Sequence, residues 1–179
     1  VARAGQRQLG LAHQVGERAA QFVRDVRGKG IQAIERVVEA CQHWIGPDDP
    51  VSLLVLESGD VVDVEGYVVR ALEAAHGDGV DPLAADALLY DVTSPDGSRL
   101  LYATDTAALP SSTLEAVRGA AYDVVLLEET FGHKDDHGTG HLDLATFPLQ
   151  LRRLREAGAI TDRTVVAAVH LSHHNPPDV

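Results

Sequence analysis

The sequence predicts an α/β (α+β) fold built on a mixed β-sheet, and three observations predict it. Residues 51–104 are a succession of short apolar runs separated by turn residues. One of the turns, Ser94-Pro95-Asp96-Gly97, sits between two β-rich runs, and Pro-Asp-Gly pre-sets a tight hairpin. Residues 111–169 alternate between amphipathic and continuously apolar segments, the pattern of helices laid over a sheet. Hairpin neighbours are antiparallel and crossover neighbours parallel, so the two halves together imply mixed pairing.

Taken in order, residues 1–30 have scattered apolar positions and glycines at 5, 10, 16, 28 and 30, with no clean period. A short helix over 15–27 would place Val15, Ala19, Phe22, Val23 and Val26 on one side. From residue 31 the pattern sharpens. Ile31, Ile34, Val38, Cys41 and Ile45 predict a helix that stops before Gly46-Pro47. The chain therefore divides into a poorly specified segment, 1–30, and a domain over 31–179. Strands are predicted at VSLLVLE (51–57), VVDV (61–64) and YVVRAL (67–72), with turns at Ser58-Gly59 and Glu65-Gly66. After the loop HGDGVDP come DALLYDVT (86–93) and RLLYAT (99–104). A helix over 111–120 is expected to be capped by Ser111 or Ser112, with Glu115 in its first turn. YDVVLLEE (122–129) reads as a buried strand and TFGHKDDHGTG (130–140) as a loop. A helix from about 142 to 157 would turn Leu144, Phe147, Leu151 and Leu154 inward, and TVVAAVH (164–170) is the final strand.

A chain of 179 residues fits one ordinary domain, and 45% hydrophobic with 23% charged residues fits a globular one. A net charge of −12 argues against a nucleic-acid backbone as partner, because phosphate neutralisation needs Lys and Arg. The basic residues are densest over 1–36 but alternate with Gln, Glu and Gly rather than forming a block. The single cysteine, Cys41, rules out an internal disulfide and lies on an apolar helical stripe as a small core residue. No run approaches the roughly 18 apolar residues of a membrane span, and no apolar stretch of a secretory signal follows the first residues. The expectation is a cytoplasmic protein.

Four imidazole or acidic side chains stand where apolar runs end: His76 after YVVRALEAA, Asp105 after RLLYAT, His141 before LDLATF, and His170 after TVVAAV. A residue at the carboxyl end of a buried strand is held rigidly yet points out of the sheet, which suits metal ligands and catalytic groups. Imidazole with carboxylate is a donor set for zinc, manganese or iron. Each residue also has a plainer reading. His76 fits a turn, Asp105 a helix cap, His141 an exposed first-turn position, and His170, His173 and His174 a polar strand end. His133, His137 and His141 are four apart, but Gly132, Gly138 and Gly140 argue against a helix there, so His133 and His137 are expected to be solvated loop residues.

The stretches ALEAAHG, LLYATDT, TGHLDLATF and VVAAVHLSHHN, in that order, resemble the metallo-β-lactamase superfamily, and within it the branch of tRNase Z and phosphodiesterases. The resemblance implies a partial αββα metallo-β-lactamase-like sandwich with mixed sheets, of which residues 31–179 are the C-terminal portion. It implies a metal-dependent hydrolase acting on a phosphate ester or phosphodiester of a small phosphate-containing molecule. His76, Asp105 and His170 then stand as metal ligands, with Asp105 bridging two ions. His141 stands as the group that meets the scissile phosphate or protonates the leaving group, and His173 as a substrate contact. The implied cofactor is zinc or manganese in a two-metal site. That site is incomplete here, because the family's His-x-His-x-Asp-His string occurs nowhere in the sequence and His13 stands alone. A truncated or degenerate domain is therefore expected. EACQHWIGPDDP, GDVVDVEGY and VHLSHHNPP add a narrower resemblance, to the metallo-hydrolase part joined to adenosylcobinamide kinase/guanylyltransferase in some actinobacteria. It implies a homodimer or a fusion to a cobinamide kinase domain. The alternative to an enzyme is a non-catalytic interaction or regulatory domain associated with cobalamin biosynthesis.

Overall fold

The structure is a computed structural model that describes residues 54–76, 87–134 and 136–172. The helices predicted over 15–27 and 31–45, the division at residue 30, His13, Cys41, His173 and His174 all lie outside the described residues. The strands and helices below belong to one compact unit.

Six strands form one sheet in the order β1-β2-β3-β4-β5-β6. They are β1 (Val61–Val64), β2 (Tyr67–Glu73), β3 (Leu88–Thr93), β4 (Arg99–Ala103), β5 (Val124–Glu128) and β6 (Val165–Val169). Pairing is antiparallel from β1 to β4 and parallel across β4, β5 and β6. The sheet is therefore mixed, as the hairpins and crossovers required. The Pro-Asp-Gly hairpin sets the register Thr93↔Arg99, with Gly97 at φ 87°. Asp96 Oδ1 accepts the amide of Ser98 at 3.0 Å and the hydroxyl of Ser94. These bonds hold the exposed Asp96 carboxyl at about 2 against an ordinary 3.8, the Ser94 hydroxyl being the main cause.

The predicted strand at 51–57 is not seen in its described part, residues 54–57. Asp60 turns the chain there: its carboxylate accepts the amide of Glu57 at 2.8 Å, and its own amide donates to the carbonyl of Glu57 at 3.0 Å. The two helices also differ from expectation at their starts. Helix α1 (Ser111–Ala116) is preceded by Pro110 and has no side-chain cap. Ser112 instead bonds the Glu73 carboxylate and Thr113 the Glu73 carbonyl, so these hydroxyls tie α1 to β2 rather than closing its own end. Glu115 is not a first-turn acid. Helix α2 runs Phe147–Glu156, later than the predicted 142, because Asp143 makes a separate turn by accepting the amides of Ala145 and Thr146. Leu144 is consequently 42% exposed, while Leu154 is fully buried and Phe147 and Leu151 half-buried.

The core lies on one sheet face, where Leu89, Leu101, Val125 and Leu127 meet Leu142 and Leu154. Asp91 shares that burial with two cations, Arg70 at 2.5 Å and Arg99 at 3.0 Å. A charge so placed is tolerable only when paired.

The hairpin generates a pH prediction. Because the folded pKa of Asp96 is depressed, its contribution to stability is present above about 3.8 and is lost as pH falls towards about 2. Urea unfolding of Asp96→Ala should show lower stability than wild type at neutral pH and a shallower loss across that acid window. Parallel losses in the two proteins would contradict it.

Candidate metal centre

Strands β4, β5 and β6 run in the same direction. Because β2 and β4 are each antiparallel to β3, β2 runs that way too. The carboxyl ends of four strands therefore share one edge of the sheet, and the residues just past them converge. His76 follows β2, Asp105 follows β4, Glu128 closes β5 and His170 follows β6. His76 Nδ1 lies 3.3 Å and His141 Nδ1 3.6 Å from Asp105 Oδ1. The imidazole centroids of His76 and His141 are 5.1 Å apart, and those of His141 and His170 5.7 Å. Asp105, Glu128, His141 and His170 each offer a ligand atom within 4.8 Å of those of the others. All four residues singled out in the sequence thus meet at one place. His173 lies outside the described residues.

Asp105 and His170 also share a left-handed backbone, φ 60° and 61°, among only four non-glycine residues so placed in the described chain. Such conformations cost of order 1 kcal/mol or more and persist where the surroundings enforce them, commonly at functional sites.

Glu128 is the member that sequence reasoning missed. It is fully buried. Its Oε1 accepts from the Thr130 hydroxyl at 2.6 Å, His141 Nδ1 at 2.7 Å and the Leu142 amide at 3.2 Å, and Oε2 accepts from the Thr106 amide. The available signal was an acid closing the continuously apolar run YDVVLLEE, the same strand-end criterion that selected the other residues. With its oxygens taken by four donors, Glu128 is a poor ligand despite its place in the cluster. It is an orienting group.

The hydrogen-bond network assigns two tautomers. A carboxylate only accepts, so His141 carries its proton on Nδ1 and keeps its lone pair on Nε2. The Thr130 hydroxyl has one proton and two acceptors in reach, Glu128 at 2.6 Å and the His170 carbonyl at 3.1 Å. The shorter, charge-assisted bond to Glu128 takes the proton. The hydroxyl oxygen then accepts from His170 Nδ1 at 3.0 Å, which leaves the Nε2 lone pair of His170 free.

Two expectations about the loop change. His141 does not open a helix, since α2 begins at Phe147, so free helix amides do not surround it. It is placed instead by Glu128 and by Leu142, whose carbonyl accepts the amides of Thr130 at 3.1 Å and Phe131 at 3.2 Å. His133 is exposed as expected, but His137 is not solvated. Its side chain is 7% exposed, its Nε2 lies 2.9 Å from Asp143 Oδ2, and its ring stacks on Phe131 at 4.3 Å. Glycines at 132, 138 and 140 allow the loop to fold back over it, two of them at positive φ. Burial pushes the Asp143 carboxyl up, but the hydroxyl and amide of Thr146, with His137 and the Ala145 amide, bring it down to about 2.

Besides His141, whose Nε2 lone pair is also free, the donors left for a cation are His76, Asp105 and His170. Asp105 and His170 offer ligand atoms within 4.8 Å of each other, and His76 is placed by its contact with Asp105. The 3.3 Å between His76 Nδ1 and Asp105 Oδ1 is the edge length of a tetrahedron, about 3.3–3.4 Å for bonds of about 2.0–2.1 Å. A second ion would find only Asp105 and His141 among the described residues.

Two predictions follow from this geometry. Glu128→Ala should destabilise the fold by about 3–5 kcal/mol, because four buried donors lose their acceptor. Glu128→Gln should not rescue it, since an amide NH2 would face a donor; urea denaturation would detect a harmless Gln. Glycine at 105 or 170 removes the left-handed strain, so thermal unfolding should be unchanged or improved by up to about 1 kcal/mol. Zinc binding by calorimetry should weaken in the same variants. A marked loss of stability would show that the strain reading is wrong.

A family model described as a beta-lactamase superfamily domain matches residues 18–174. No curated protein matches the chain. Among solved structures, a diphosphatase of the PhnP family is 20% identical with a TM-score of 0.54, over 80% of this chain and 45% of its own. Unliganded yeast PDE1 is 15% identical with a TM-score of 0.52, over 65% and 38%. The metallo-beta-lactamase fold protein YhfI from Bacillus subtilis is 12% identical with a TM-score of 0.51, over 75% and 49%. At these identities the likeness speaks for fold alone, and the chain spans less than half the length of each. The family match covers most of the chain and the six-stranded mixed sheet agrees with it, so the chain belongs to the beta-lactamase superfamily and has the metallo-β-lactamase fold, which implies divalent-metal binding.

Proposed function

We propose that this chain carries the C-terminal part of a metal-dependent hydrolase site for a phosphodiester or related phosphate ester. The observation that supports it most is the convergence of His76, Asp105, His141 and His170 at one sheet edge, with buried Glu128 behind them. The presence of a PhnP-family diphosphatase among the structural neighbours is in keeping with a phosphate substrate.

His76, Asp105 and His170 would hold zinc or manganese, both of which accept mixed nitrogen and oxygen donors. A divalent cation bound there supplies Lewis acidity and charge neutralisation to the phosphate. His141 would stand beside it with Nε2 free of the Glu128 bond. Protonated on both nitrogens, it gives the Nε2 proton to the departing oxygen as a water oxygen bonds to phosphorus and the P–O bond breaks, its electron pair leaving with the oxygen while the water's proton passes to solvent. Its Nδ1–H remains on Glu128 throughout, which keeps the ring aimed. The same donor count favours a second reading, a non-catalytic domain that keeps one weak cation site. Its association with cobalamin biosynthesis rests on the sequence resemblance alone.

With three ligands and one cation the chain should bind zinc or manganese weakly and hydrolyse bis-p-nitrophenyl phosphate barely or not at all, since a two-ion clamp needs a full set of donors. The test compares the chain with a form extended at its N-terminus by a segment carrying His-x-His-x-Asp-His, each with and without Asp105→Ala. Turnover in the extended form that disappears with Asp105 supports the proposal. Robust metal-dependent turnover by the present chain, abolished by Asp105→Ala, would mean that further residues of this chain complete the site.

A further inference from the structure

We propose that His137 is a positioning residue for His141, acting through a latch that closes the loop between them. The inference rests on the reading of His141 as the group that meets the substrate. His137 and His141 lie in the stretch between β5 and α2, and a stretch with three glycines has little intrinsic reason to hold one shape. The backbone closes its base, where Thr130 and Phe131 amides reach the Leu142 carbonyl and the Leu144 amide reaches the Gly132 carbonyl at 3.0 Å. Its upper part is held by side chains. His137 Nε2 meets Asp143 Oδ2 at 2.9 Å, and this one bond encloses His141 in a short ring of chain.

Phe131 completes the connection. One face of its ring stacks on His137 at 4.3 Å, and it meets His141 nearly edge-on at 5.6 Å, with the rings 77° apart. A shift of His137 therefore moves the surface against which His141 packs. The other arm of the latch is equally tied. Asp143 Oδ1 is held by the amides of Ala145 and Thr146 at 2.9 and 2.6 Å, so the carboxylate is fixed to the start of α2. An ionised Asp143 accepts, so Nε2 of His137 carries the proton and donates. His137 Nδ1 is then left buried with no partner, a penalty that packing alone would avoid with an apolar side chain. The imidazole meets both demands at once: its Nε2 donor reaches Asp143 while its plane covers Phe131.

The latch acts on the geometry of the Glu128–His141 bond rather than on substrate. Histidine side-chain nitrogen–proton spectra of the metal-free chain at fixed neutral pH report that geometry directly. Wild type should show His141 as a single Nδ1–H tautomer with an observable proton. In His137→Ala the exchange of that proton should quicken by about tenfold or more, the loss expected when one charge-assisted bond is removed. The His141 nitrogen shifts should also move towards the average of the two tautomers. His137→Gln, whose amide extends as far as Nε2, should restore most of the wild-type signal, and the shorter His137→Asn should not. The Gln and Asn pair decides the matter even where the alanine variant does not fold. A melting temperature that falls in His137→Ala with His141 signals unchanged, equal behaviour of Gln and Asn, or a wild-type His141 with no ordered Nδ1 proton would each overturn the proposal. Failure of the hydrolase reading would appear elsewhere, as absent turnover in the extended protein, and these spectra would still decide the latch.

Discussion

A carboxylate with no exposed surface must be surrounded by donors, and in this fold Glu128 draws them from three separate stretches of chain. The Thr106 amide comes from the loop after β4, the Thr130 hydroxyl from the residues after β5, and His141 and the Leu142 amide from the returning loop. Burying an unpaired carboxylate costs several kcal/mol even after relaxation, so none of the three can drift without exposing that cost. The site is assembled by one charge. Asp105 is the residue before Thr106, Thr130 carries His170, and His141 is itself a donor. Asp105, His141 and His170 are thus tied to Glu128 directly or through one residue, and His76 follows Ala75, whose amide donates to the Thr106 hydroxyl at 3.2 Å.

Strand direction makes this economy possible. The antiparallel β2–β3–β4 run returns β2 to the direction of β4, and the crossovers through α1 and α2 keep β5 and β6 parallel to it. Four chain exits then lie along one edge, where side chains from distant parts of the sequence meet without long loops. The left-handed turns at Asp105 and His170 occur within two residues of the end of the ladder. There the chain must turn off the sheet at once to present a side chain sideways rather than along the strand. The strain is a local cost offset by the surrounding bonds, chiefly those of Thr106 and Thr130.

Much of this was legible in the sequence because it is local. Pro95-Asp96-Gly97 states its own turn, alternation marks β3 and β4, and a polar residue after an apolar run marks an exit from the sheet. His76, Asp105, His141 and His170 were found by that last rule. Glu128 obeys it as well, but its meaning comes from donors that lie up to 22 residues away in the chain, and no local pattern announces them. His137 was misread for the opposite reason. Its neighbourhood of glycines and acids has the composition of a solvated loop, and only the fold-back onto Phe131 buries it. The cap of α1 and the start of α2 were misjudged because Ser112 and Asp143 are competent at helix ends, and here they serve β2 and a preceding turn instead.

Charge orders the events at such a site. The whole chain carries −12, and two carboxylates, Asp105 and Glu128, stand within 4.8 Å of the imidazoles. Glu128 is answered by its four donors, but Asp105 is 47% exposed and has imidazoles rather than fixed cations beside it. A phosphate brought to about 4 Å from that carboxylate meets a repulsion of about 1 kcal/mol in water and about 4 kcal/mol at the effective dielectric of a protein surface. Arg70 and Arg99 are committed to Asp91, and Lys134, over the Phe131 ring at 5.5 Å, is one charge where two would be needed to reverse the sign. On the proposed reading, an anionic ester would therefore become a welcome occupant only with a divalent cation on Asp105. The carboxylate that repels such a substrate would be the one that recruits the ion, and the affinity for phosphate would follow from how firmly His76, Asp105 and His170 held it.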